Sequence, residues 1–149
     1  YICCCLLMPY NIDMFKPHHI ALSISNKQQS CDFYEKLGFH CVYTWEADDN
    51  SLSITHLSNN NLILELFCYQ NPIPAPDTIF QTSTDLPVLG TKHFGLQVES
   101  IEDARIYLIS IGVIDESTQI IDGKTEVRYF FIKDPDDILV EILEDKRGL

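Results

Sequence analysis

A segment that opens at His19 returns as a pattern 74 residues later, and this internal repeat restricts the chain more than any other feature. The first copy, HIALSISNKQQSCDFYEKLGF, covers residues 19–39, and the second, HFGLQVESIEDARIYLISIGV, covers residues 93–113. His19 falls on His93, Leu22 on Leu96, Ile24 on Val98, Phe33 on Tyr107, Leu37 on Ile111 and Gly38 on Gly112. Alternating apolar residues at the start of each copy read as a strand, and the periodic stretch that ends on a glycine reads as a helix. Further along, NLILELF (61–67) matches DILVEIL (137–143), which places Glu65 on Glu141. Asp48-Asp49-Asn50 and Ser58-Asn59-Asn60 mark turns in the first half, and Asp122-Gly123-Lys124 and Asp134-Pro135-Asp136 mark them in the second. Each half therefore reads as strand, helix and then three strands.

Between the halves, residues 71–90 hold Pro72, Pro74, Pro76 and Pro87. Proline lacks the backbone N–H that helices and interior strands need, so this connector is expected to be an extended loop without a helix. The expected fold class is α+β, with two tandem βαβββ modules at 17–70 and 91–145. Facing each other about a pseudo-twofold axis, their sheets would form an incomplete eight-stranded barrel, one domain spanning 16–149. The chain opens without a methionine or the basic flank of a secretory signal, so residues 1–15 are read as an extension outside the fold.

Composition narrows the partners. Ten Lys and Arg stand against 22 Asp and Glu, a formal charge of −12. Such a surface repels phosphate backbones and anionic lipids, so neither nucleic acid nor membrane is an expected partner. No apolar run approaches the roughly 18 residues of a transmembrane helix. Of six cysteines, three are consecutive (Cys3, Cys4, Cys5) and three (Cys31, Cys41, Cys68) lie in regular apolar segments. That pattern suits reduced thiols and a cytoplasmic protein better than a disulfide framework.

The strands around Glu65 and Glu141 each carry one carboxylate among residues apolar on both faces. An unpaired carboxylate buried there would cost several kcal/mol or take up a proton, so each needs a cation, a hydrogen-bond network or an outward position. Two such strands at equivalent places, each with an equivalent histidine opening its module, point to a shared metal site of His19, Glu65, His93 and Glu141. Imidazole and carboxylate without thiolate suit Zn, Ni, Co, Mn or Fe(II), whereas Ca and Mg favour an all-oxygen shell. The remaining histidines have plainer expectations. His18 is placed on the opposite side of the strand from His19, His40 has no ionisable counterpart, and His56 aligns with the apolar region at Phe131 and Ile132; all three are read as structural or exposed, His56 reaching a pocket only if its strand face turns inward. Arg128, in a core strand before Glu141, is a candidate for holding an anionic part of a substrate, with a surface ion pair as the equal alternative.

HHIALSIS followed by FYEKLGF, the ELF ending the first module, GTKHFGLQVESIEDA and FIKDPDDILVEIL together resemble the vicinal oxygen chelate superfamily over residues 17–145. That superfamily includes glyoxalase I, extradiol dioxygenases, methylmalonyl-CoA epimerase and the fosfomycin and bleomycin resistance proteins, and small glyoxalase I-like bacterial proteins are nearest in layout. The resemblance implies the same four metal ligands. It also implies a lyase or isomerase in which the metal takes two neighbouring oxygens of a small, thiol-conjugated or otherwise oxygenated substrate and stabilises an enediolate. Glu141 would be the base and Glu65 its mirror-related counterpart, in a homodimer. A resistance or thiol-transfer protein, a dioxygenase and a metal-free ligand-binding module stand as alternatives. Departures from the glyoxalase I pattern bear on substrate: Ser23 replaces an arginine four residues after the first histidine, Val88 and Leu89 replace polar or basic residues, Asp137 ends the usual DPDG turn, and Asn26 replaces an aspartate.

Overall fold

The computed structural model describes residues 15–77 and 82–148. The expected N-terminal extension lies outside these residues except for Phe15, which is exposed. In the first module β1 (His19–Ile24) leads into α1 (Lys27–Glu35), followed by β2 (His40–Glu46), β3 (Leu52–Asn59) and β4 (Leu62–Tyr69). A short helix, α2 (Thr82–Asp85), lies in the connector. The second module repeats the order with β5 (Phe94–Gln97), α3 (Ile101–Ser110), β6 (Ile121–Asp122), β7 (Arg128–Lys133) and β8 (Leu139–Glu144).

Local chemistry explains the repeat. Asn26 caps α1 by accepting the Gln29 amide at 3.0 Å, and Ser100, its counterpart 74 residues on, caps α3 by accepting the Asp103 amide at 3.2 Å. Both helices close on a glycine in the left-handed region, Gly38 at φ 87° and Gly112 at φ 69°, where a side chain would be strained. In β1, Leu22 and Ile24 are buried while His19, Ala21 and Ser23 are exposed. One face of the sheet thus packs under the helices, and the other stays open.

The sheets run β1-β4-β3-β2 and β5-β8-β7-β6, with the β1·β4 and β5·β8 pairs parallel and the others antiparallel. They are open sheets. Among the described residues no strand of one is hydrogen-bonded to a strand of the other, so the expected barrel is two separate halves. A single apolar cluster nevertheless spans the modules, with Leu22, Ile24, Tyr34, Leu64 and Leu66 from the first and Phe94, Ile101, Leu108, Phe130 and Ile142 from the second.

Two expectations need correction. The connector does contain a helix: α2 sits between Pro76 and Pro87, a stretch free of proline, and Lys92 holds its buried Asp85 at 3.1 Å. The first of the three strands expected after the helix in the second half is only two residues long, Ile121 and Asp122. Upstream of it the Arg105 guanidinium donates to the carbonyls of Glu116 and Thr118, both at 2.6 Å. No helix among the described residues is long and apolar enough to cross a membrane, and Cys31, Cys41 and Cys68 are free thiols.

Tyr34 pins the modules together. Fully buried, it donates its hydroxyl to Asp134 Oδ2 at 2.8 Å and lies 6.4 Å, centroid to centroid, from Phe94. Asp134 also accepts the amides of Asp136 and Ile138 and so ties down the β7–β8 turn. Burial pushes both the Tyr34 hydroxyl and the Asp134 carboxyl above their ordinary pKa values. Replacing Tyr34 by Phe leaves a buried carboxyl short of one donor, and is expected to lower unfolding stability by about 1 to 3 kcal/mol in chemical denaturation. An unchanged midpoint would show that the bond contributes nothing net.

Candidate functional site

Register brings the chemically active side chains together. Parallel pairing sets Ala21 of β1 opposite Glu65 of β4, so His19, two residues earlier, shares Glu65's face. Antiparallel pairing sets His56 of β3 opposite Glu65 from the other side. Glu65 consequently lies between two imidazoles, with His19 Nε2 3.3 Å from Oε2 and His56 Nε2 3.0 Å from Oε1. The second module repeats the plan. Gly95 of β5 stands opposite Glu141 of β8, which puts His93 at the position equivalent to His19, with Nε2 3.4 Å from Glu141 Oε2. Opposite Glu141 on β7 the place of His56 is taken by Phe131.

Neither carboxylate points into bulk solvent, since the side chains of Glu65 and Glu141 are only 20% and 17% exposed. The structure therefore joins His19 to Glu65 and His93 to Glu141. It keeps the two pairs as separate half-sites: among the described residues no group of three or more His, Cys, Asp or Glu is arranged to hold a metal ion.

The donor set of each half fits a divalent metal. Two ligands bonded at about 2.0 to 2.2 Å to a tetrahedral or octahedral centre stand about 3.0 to 3.5 Å apart, which the His19–Glu65 and His93–Glu141 separations match. His93 Nδ1 is buried without a hydrogen-bond partner. A buried imidazole nitrogen in that state is costly, and it lies on the side of the ring away from Nε2, the nitrogen that meets Glu141.

Two histidines were underestimated from sequence. His18 precedes the first strand residue and so escapes strand alternation; its Nδ1 meets His19 Nδ1 at 2.9 Å, so it does not face away from His19 as expected. A hydrogen bond there selects which nitrogen of His19 carries its proton. His56 does turn inward, and the signal available in sequence was its parity with Glu65 across the Asn59-Asn60 turn. His40 is exposed at the start of β2, as expected.

The model of the Glyoxalase/Bleomycin resistance protein/Dioxygenase superfamily matches residues 16–142. No curated protein matches the chain. Among solved structures it is similar to the glyoxalase family protein from Enterococcus faecalis, with 27% identity and a TM-score of 0.72 over 89% of this chain and 100% of that one. It is also similar to the trypanothione-dependent glyoxalase I of Leishmania major, with 18% identity and a TM-score of 0.59 over 86% of this chain and 85% of that one. A glyoxalase family protein from Bacillus anthracis shares 17% identity and a TM-score of 0.64 over 93% of this chain and 100% of its own. At such identities the last two likenesses speak for the fold alone.

Arg128 does not join the site. It lies an odd number of residues before Phe131, so alternation sends it to the other face, opposite Glu144 and against the start of α3. There Glu102 at 2.6 Å, Asp122 at 3.6 Å and Glu144 at 3.7 Å occupy its guanidinium. Its hydrogen bond to Glu102 holds the Glu102 carboxyl below the usual range, while Glu144 is held low first by Lys146. Arg128→Ala is expected to lower the thermal midpoint slightly and to leave divalent-metal affinity unchanged. Melting curves and calorimetric metal titration check this, and a loss of metal affinity in the folded variant would return Arg128 to the site.

Proposed function

The chain belongs to the glyoxalase/bleomycin resistance protein/dioxygenase superfamily, and on that premise we propose that it is a divalent-metal-dependent enzyme of glyoxalase I type, a lyase or isomerase acting on a small oxygenated substrate. The observation that supports this reading is the pairing of one imidazole with one half-buried carboxylate, at the same register position, on the open face of each sheet.

His19, Glu65, His93 and Glu141 would hold the metal, with Zn, Ni or Co the best match to two nitrogens and two oxygens and Mn or Fe as further candidates. When bound, the metal draws electron density from the substrate's neighbouring oxygens and eases loss of a proton from the adjoining carbon. Glu141 is the proposed base that takes this proton. Its side chain is mostly shielded from water, and Phe131 opposite it and Tyr129 two residues along the same face form an aromatic wall. That surrounding limits the water that competes with a substrate for the carboxylate, and a base must lie within hydrogen-bond reach of the proton it takes.

The two half-sites meet, in this reading, across a homodimer, with His19 and Glu65 of one protomer completing the site formed by the other's second module. Mixing separately inactive His19→Ala and His93→Ala proteins then yields heterodimers in which one site is intact. Activity and metal binding should return on mixing; if they stay absent in verified heterodimers, each site is built within one chain.

Substitution separates ligand from base. His19→Ala and His93→Ala are expected to abolish metal binding and turnover together, because each removes one of the four proposed donors. Glu141→Gln keeps an oxygen for the metal but loses the proton acceptor, so turnover should fall by roughly 100-fold or more while metal remains. Metal content and rate measured on the same samples decide the matter. Full activity in Glu141→Gln with metal retained would move the base to another group, Glu65 first.

A further inference from the structure

The pseudo-symmetry of the half-sites is broken at one position. His56 faces Glu65 where Phe131 faces Glu141. In the first module both carboxylate oxygens are engaged, Oε1 by His56 Nε2 at 3.0 Å and Oε2 by His19 Nε2 at 3.3 Å. A carboxylate accepts and does not donate, so the hydrogen of the His56 contact sits on Nε2. The His56 side chain is 28% exposed, and its ring lies 5.8 Å from that of Tyr43, which flanks it from β2. In the second module the Phe131 ring packs edge-on to His93 at 5.0 Å and offers Glu141 no donor. Among the described residues Glu141's side chain meets one imidazole, at 3.4 Å.

Resting on the metal reading above, we propose that His56 is a positioning residue for Glu65. By taking Oε1 it leaves Oε2 alone to the metal, which makes Glu65 a one-oxygen ligand that stays in place. Among the described residues Glu141 has no such tether, and it is the carboxylate free to turn from the metal toward a substrate proton. One residue exchanged between otherwise equivalent modules thereby divides the labour of two carboxylates that the repeat makes alike. The physical basis is ordinary for metal sites: a hydrogen bond to the non-coordinating atom of a ligand sets its orientation and denticity.

The test uses the full chain loaded with Co(II), whose visible absorption reports coordination. His56→Phe places the second module's own residue in the first, and His56→Gln supplies an amide N–H that can still donate to Oε1; His56→Leu replaces the Phe variant if that ring disturbs folding. Removing the donor is expected to weaken Co(II) binding by about 10- to 100-fold and to change the absorption of bound cobalt as both Glu65 oxygens become available. His56→Gln should restore both affinity and spectrum, with the metal-free thermal midpoint close to wild type in all variants. Wild-type affinity and spectrum in His56→Phe would overturn the role, as would a His56→Gln protein as weak as His56→Phe, the behaviour of a direct ligand. A wild-type protein that takes up no cobalt overturns the metal reading and this role with it, whereas a cobalt-binding wild type with an indifferent His56→Phe overturns the role of His56 alone.

Discussion

Strand alternation governs this molecule. Each sheet has one face under a helix and one face open, and successive side chains along a strand must go to opposite faces. In β8, Val140 and Ile142 are buried in the shared core while Glu141 between them turns to the open side. In β4, Leu64 and Leu66 flank Glu65 in the same way. A charge in the middle of an apolar strand is thus reconciled with a well-filled core, because the strand shares it between two environments. The imidazoles follow from the same constraint. Parallel pairing puts the residue two places before each carboxylate's partner on the open face, and in both modules that residue is a histidine.

The helices and turns supply the rigidity this arrangement needs. Asn26 and Ser100 start the two helices at equivalent points, and Tyr34 carries a hydrogen bond from α1 into the β7–β8 turn of the other module. Ser25 donates its amide to Asp136 in that turn, and Tyr107 returns a hydroxyl to the carbonyl of Lys36. The connector takes part as well, since Lys92, bonded to Asp85 of α2, directly precedes His93 and ties the start of β5 to the segment before it.

Departures from symmetry are as informative as the symmetry. Tyr34 corresponds to Leu108, which is shorter and has no hydroxyl. Leu108 instead lines a cleft of about 830 Å³ with Leu96, Ile142, Asn59, Asn60 and Tyr107. The counterpart exchange on the open face, His56 for Phe131, alters hydrogen bonding around one carboxylate and not the other. Equivalent backbones therefore present two chemically different half-sites.

Sequence alone determined the module plan, the helix ends and the equivalence of the two candidate half-sites, because those depend on short-range periodicity, on glycine and capping residues, and on a repeat that pairs His19 with His93 and Glu65 with Glu141. That each imidazole shares a face with its module's carboxylate was implicit there, since it needs only strand parity, whereas their contact follows from the parallel register. What the tertiary structure decided was everything set by register and by contacts distant in sequence. Arg128 lies in a strand next to Glu141's and still belongs to the other face, where three carboxylates occupy it. His56 looked apolar in alignment yet meets Glu65, because one hairpin register places them directly opposite. Arg105 reaches from α3 to the carbonyls of Glu116 and Thr118, a contact that periodicity does not announce. Periodicity fixes which residues share a face, but only the folded pairing fixes which neighbour each one meets.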